Sequence, residues 1–419
     1  MQKYLNKTTI IIAAAVILLI VGAVYFFGRK TPLNLLPGAN MQGQFPTSAN
    51  NPNPSTEPTP TESAQSGGGN SGTAPTANIQ NADNSVLSTD QVVRLPIGTL
   101  IKLTDDQIVS LSPAGTGLIR FHKNIPEALG HLFERKADGT NQETKISNFT
   151  VAQIMKVVWA PGGKKAVVFY NSGGLIRKLL IDYTATSTPK TTFLPDTLSD
   201  VAFSPDVKSM AFINDLGDTR NIFTATADFK NQKKVLDNIV PDLELSWPGT
   251  SLLAVKTKSS YASRGYLYTF TPSGGSFTKI AEGLGLDAAW NKDGAGVLVS
   301  TVANSGQIQP LKYIDIKSSE EKELSLRTIA EKCAFLNNLK TSVYCAAPNT
   351  MPLAKYPDAW WQGAVSFRDD LFIINTVDGK VTDIAASSLD IVRPSILSDD
   401  SFMVFRDKTT GFLWSMKLK

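Results

Sequence analysis

Over most of this 419-residue chain, apolar and polar positions alternate in short runs, and one phrase keeps returning: alternation, a turn, alternation again. The clearest copies are VVWAPGGKKAVVFY from Val157 and VAFSPDVKSMAFI from Val201. Others begin at Ile108, Glu244, Asp287, Cys333 and Arg393. Each copy carries one large apolar marker: Leu111, Trp159, Phe203, Trp247, Trp290, Phe335 and Ile396. Successive markers lie roughly 43 to 48 residues apart, and the last step stretches to about 61. Period-two alternation predicts strands, because successive side chains point to opposite sheet faces. Pro, Gly, Asp, Asn and Lys after the marker predict the hairpin turn. A third strand follows each hairpin, as at residues 265–272, and a fourth, as at 277–283.

A repeat of this length, with four strands per copy, predicts an all-β fold: a seven-bladed β-propeller of four-stranded antiparallel blades. The chain ends on residues 411–419, a third strand without a fourth. Residues 98–104 (GTLIKLT) precede the first copy and read as the missing strand, which would close the last blade and remove two free edges. The phrases around Ser204-Pro205-Asp206 and Ala160-Pro161-Gly162-Gly163-Lys164 resemble the WD-like repeats of TolB-type bacterial propellers, over about residues 95–419. That resemblance implies a propeller acting as an envelope interaction module. The N-terminal α/β domain of TolB itself has no counterpart in this sequence.

The segments ahead of the propeller add a second expectation. Residues 10–27 (IIIAAAVILLIVGAVYFF) are apolar throughout and, at ~1.5 Å per residue, make a helix of about 27 Å, close to the hydrocarbon core of a bilayer. An uncleaved single-pass transmembrane helix is expected there, after a short cytoplasmic N-terminus of residues 1–9. Residues 28–90 are rich in Ser, Thr, Pro and Gly and are expected to form a disordered linker. A flexible coil of ~60 residues reaches about 40–45 Å. The propeller is assigned to residues 91–419, outside the cytoplasm.

Net charge is +4. The four cations of the first 30 residues and the four carboxylates of the linker cancel, so this charge belongs to the propeller and is spread over it. No basic run is present, which argues against nucleic acid as a partner. The two cysteines, Cys333 and Cys345, fall on adjacent strands of one copy and are expected to face each other as a disulfide.

The long last step marks an insertion, residues 346–370, between the second and third strands of the penultimate copy. Loops on a rigid scaffold commonly carry binding. Tyr356, Trp360 and Trp361 offer flat faces, and Asp358, Gln362 and Arg368 offer hydrogen bonds around them. The competing expectation is that the tryptophans cap the propeller. Trp159, Trp247, Trp290 and Trp414 are assigned to the core.

Catalytic signatures are sparse. There are two histidines, His122 and His131, with no nucleophile or metal partner nearby in sequence. No nucleophile elbow, phosphate loop or calcium loop occurs. No cofactor, metal or catalytic residue is assigned, although Asp358, Asp369 and Asp370 could form an acid/base pair. The expected role is non-catalytic binding of an envelope protein by a membrane-tethered module. A cell-wall glycan or peptidoglycan is the alternative ligand, and an envelope hydrolase or lyase the third reading.

Overall fold

The computed structural model describes residues 79–80, 86–185, 187–237 and 239–419. The apolar segment at 10–27 and most of the 28–90 linker lie outside the described residues. Within that linker range, Ile79–Gln80 pairs as a short parallel strand with Leu100–Lys102. The helix Thr89–Arg94 straddles the expected boundary at residue 91 and is held by a Ser88/Gln91 capping box. Among the described residues no helix is long and apolar enough to cross a membrane.

The remaining chain is all-β. Counting the copies in chain order, repeats one, two, three and six each form a four-stranded antiparallel meander. Repeats four and five share one seven-stranded sheet, because the long strand Thr278–Trp290 pairs with Arg264–Phe270 over its first half and with Gly296–Val302 over its second. That strand is the fourth of one meander and the first of the next. Repeat seven is completed from the other end of the chain. Leu100–Lys102 pairs antiparallel with Leu413–Lys417, matching Leu100 to Met416 and Lys102 to Trp414. The Lys417 ammonium then donates to the Val92 and Leu95 carbonyls, tying the N-terminal helix to the last strand.

Both faces of these sheets are buried, which explains the nearly continuous apolar runs. In repeat three, Val201, Phe203, Met210 and Phe212 pack against repeat two, while Ala202, Ala211 and Ile213 pack against repeat four. Each successive pair of repeats encloses such a cluster, and the seventh encloses one with the first through Leu397, Phe402, Ile108 and Phe121. The first strands of repeats one to four touch in turn, as do those of repeats five to seven, and Ile391–Ile396 comes back against Ile108–Pro113. Alternating strand direction puts the second-to-third loops, and the connections between repeats, on one face of this ring.

Candidate functional site

The insertion leaves the strand Ser342–Pro348 and returns at Asp369–Asn375. It lies on that face, across the second-to-third loops of repeats four and five. The Asp358 carboxylate accepts from the Ser260 hydroxyl at 3.0 Å and the Tyr261 amide at 2.7 Å. The Gln307 side chain donates to the Ala354 carbonyl at 2.8 Å. Gly306, at φ 84°, permits the approach, since a Cβ there would sit 2.9 Å from the Lys355 Cα. Beneath the loop, Tyr356, Trp360 and Phe367 are buried with Val302, Ile308, Ile329 and Val392. The Trp360 indole stacks on Phe367 and donates to both oxygens of Asp390, at 2.9 and 3.0 Å.

This corrects the expected ligand set. Tyr356 and Trp360 are inaccessible, and Asp358 is occupied in anchoring the loop. Trp361 keeps 39 % of its surface exposed, Gln362 and Arg368 face solvent, and Leu353 on the same loop is 93 % exposed. The carboxylates Asp358, Asp369 and Asp370 do not converge on one cavity. Asp369 is buried against Lys332, and Asp370 follows it in the strand on the opposite face.

What the sequence reading missed is a position three residues before each marker. It is Ile108 in the first repeat and charged in all the others: Lys156, Asp200, Glu244, Asp287, Lys332 and Arg393. The signal was present in the alignment of the copies. These side chains join neighbouring repeats, as where Lys156 reaches Asp200 at 2.7 Å while Asp200 also accepts from the Leu245 amide at 2.8 Å.

Two clusters grow from this position. The first is sealed under the insertion. The fully buried Lys332 ammonium lies 2.7 Å from Asp369, 2.9 Å from Asp390 and 2.6 Å from the Ile391 carbonyl, with the Trp360 ring 4.7 Å away. Burial pushes the Asp369 carboxyl up to about 6, against the pull of Lys332. The strand that starts beside Lys332 is stapled by a disulfide between Cys333 and Cys345, which face each other in the register.

The second cluster is open. A cavity of about 210 Å³ where repeats four and five meet the starts of repeats six and seven is lined by Glu244, Asp287, Glu331, Lys256 and Arg393, with Ser246 and Trp290 in its wall. Lys256 bridges Glu244 at 2.8 Å and Asp287 at 3.3 Å. Asp287 also accepts from the Glu331 amide at 2.8 Å. Burial, and then the neighbouring Asp287, pushes the Glu331 carboxyl up to about 7, opposed by Arg393. The Arg393 guanidinium meets Glu331 at 3.0 Å, stays 71 % exposed, and lies 5.4 Å from the Trp361 ring. Its backbone is left-handed, at φ 48°, directly before Pro394, a conformation both its side chain and the proline disfavour. Trp290, assigned to the core, is half-buried against the cluster of Leu267, Leu286 and Val297 and also forms part of the cavity wall.

Other features are less suited to binding. A groove of about 700 Å³ runs along the flank of repeats four and five. Its charges pair among themselves, as Arg264 and Lys279 do on Glu282, and no aromatic residue lines it. His122 is buried between Ser110 and Tyr183 and stacked on Trp159, and burial pulls its imidazole down to about 3, so it is neutral. Among the described residues no group of three or more His, Cys, Asp or Glu is arranged to hold a metal ion.

No family model and no curated protein sequence matches this chain. Solved structures do. An oligogalacturonate lyase in complex with manganese is 11 % identical over 78 % of this chain and 99 % of that one, with a TM-score of 0.54. A prolyl endopeptidase is 14 % identical over 75 % of this chain and 50 % of that one, at 0.50. TolB from Acinetobacter baumannii is 14 % identical over 83 % and 86 % of the two chains, at 0.42. The likeness to the lyase and the endopeptidase is one of fold, and it agrees with the strand arrangement: this chain is a β-propeller. Activity is not carried across at such identities.

Proposed function

We propose that this chain is a seven-bladed propeller, tethered to a membrane through residues 10–27 and held outside the cytoplasm, that docks an envelope protein without catalysing a reaction. The observation that carries the docking reading is the Trp361–Arg393 pair, which stands partly exposed where Arg393 lines the open cavity, on an insertion that also exposes Leu353. Trp and Arg are the residue types that dominate interface hot spots, most of all where a rigid scaffold holds them. The buried root of the insertion supplies that rigidity.

The seven enclosed clusters and the borrowed strand support the blade count. Deleting residues 98–104 should therefore unfold or aggregate the domain, and unchanged melting would refute closure. The Cys333–Cys345 disulfide fits an oxidising compartment. The glycan reading is weakened because Tyr356 and Trp360, two of the three expected stacking faces, are interior. The lyase reading gains little from the oligogalacturonate neighbour. At 11 % identity that neighbour shows the fold alone.

The test is cross-linked capture from an envelope fraction with the full chain and with Trp361→Ala. A specific partner should be captured by the first and reduced at least tenfold with the second, at unchanged melting temperature. Equal capture by both would reject the site.

A further inference from the structure

The cavity next to Arg393 has a charge pattern that specifies a guest and a gap in its wall that admits one. Resting on the docking reading, we infer that this cavity receives a cationic side-chain end, an ammonium or guanidinium group, from the docking protein. Three carboxylates face it: Glu244, Asp287 and Glu331. The two cations in its wall are already committed, Lys256 to Glu244 and Asp287, and Arg393 to Glu331. With Glu331 ionised, above its raised value near 7, an anionic guest would meet an excess of negative charge, and an apolar guest would strip water from carboxylates without replacing it. A cation supplies the missing charge.

The second observation is independent of charge. In repeat two the Trp159 indole N–H donates at 3.4 Å to Ser110, the residue before the marker of the preceding repeat. Trp290 and Ser246 hold the same two positions one after the other in repeats five and four. Both line the cavity, and among the described residues neither the Trp290 N–H nor the Ser246 hydroxyl has a hydrogen-bond partner. The bond that closes the wall between repeats one and two is absent where the cavity opens. At about 210 Å³ the space suits the end of a long side chain rather than a single water. The raised Glu331 carboxyl agrees with the geometry, since a cation beside it would favour its ionised form. The Trp361 ring, with Arg393 across it, would cover the stem of the entering side chain.

The probe is acetyl-arginine amide, with acetyl-citrulline amide as its neutral isostere, titrated calorimetrically into the full chain at pH 8. The arginine compound should bind saturably in the millimolar range, at least tenfold more tightly than the citrulline compound. Glu331→Gln and, separately, Asp287→Asn should each weaken it at least fivefold, and the second variant covers a folding defect in the first. Equal binding of the two compounds, no binding of the arginine compound, or wild-type affinity in both variants would overturn the inference. Partner capture that depends on Trp361, without arginine binding, would leave the docking reading standing and remove only the cationic guest. Arginine binding together with capture that ignores Trp361 would do the reverse.

Discussion

Lys332 and Arg393 hold the same position in successive repeats, yet one is sealed and the other stands in solvent. The difference is the insertion. It lays Trp360 and Phe367 over Lys332, so Asp369, Asp390 and a backbone carbonyl must satisfy the ammonium completely. Arg393 lies past the edge of that cover, where among the described residues it meets one carboxylate, Glu331, and the face of Trp361. A buried charge set demands closure, whereas an exposed one can remain incomplete and accept a partner. The first cluster is therefore read as structure and the second as a site.

The largest expected effect breaks the sealed cluster. Lys332→Met leaves Asp369 and Asp390 without their cation and should destabilise by about 3–5 kcal/mol. Lys256→Met in the open cluster should cost less, about 1–3 kcal/mol, because Asp287 is buried but Glu244 remains half exposed to water. Denaturant melts of the two variants measure the contrast, and equal losses would erase it. Next, Trp360→Ala removes a fully buried ring and its bonds to Asp390, for about 3–5 kcal/mol, while Trp361→Ala should stay within about 1 kcal/mol of the parent. Paired Cys333→Ser and Cys345→Ser changes should cost about 2–3 kcal/mol, as expected for a loop of this length, and the loss should match that seen on adding reductant.

The open cluster also gives a graded pH dependence. Folded Glu331 titrates near 7, whereas an ordinary glutamate titrates near 4.5. The folded state thus binds more protons than the unfolded chain across that window, and the stability held by Glu331 is complete below pH 4.5 and lost as pH rises through 7. Asp369 acts in the same sense between about 3.8 and 6. Glu331→Gln should flatten the upper part of the slope, from pH 6 to 7.5, and leave the part due to Asp369. A slope unchanged above pH 6 would show that Glu331 is not the group involved.

The sequence carried the fold well because propeller stacking repeats one demand. Each blade must bury two faces, so alternation, turn and marker recur, and even the closing strand at Leu100–Lys102 follows from a C-terminal copy one strand short. The Cys333–Cys345 pairing followed from hairpin register for the same reason. The insertion was legible as an interruption but not in its orientation. Within an irregular loop no period tells which of Trp360 and Trp361 faces in, and the deciding contact, Asp390, lies 30 residues away in the next connection. The charged inner positions were legible only by aligning the copies. Read along the chain, Glu244, Asp287 and Arg393 are isolated charges, and only stacking brings them to one cavity.

The most direct test of the docking claim places a photo-cross-linking residue at Trp361 and, in a second chain, at Val377, a 64 % exposed position in a turn of the opposite face. Irradiation in native envelopes should give a discrete adduct from position 361 and none from 377. Adducts from 377 alone, or equally from both, would contradict a binding site at the rim of the open cluster.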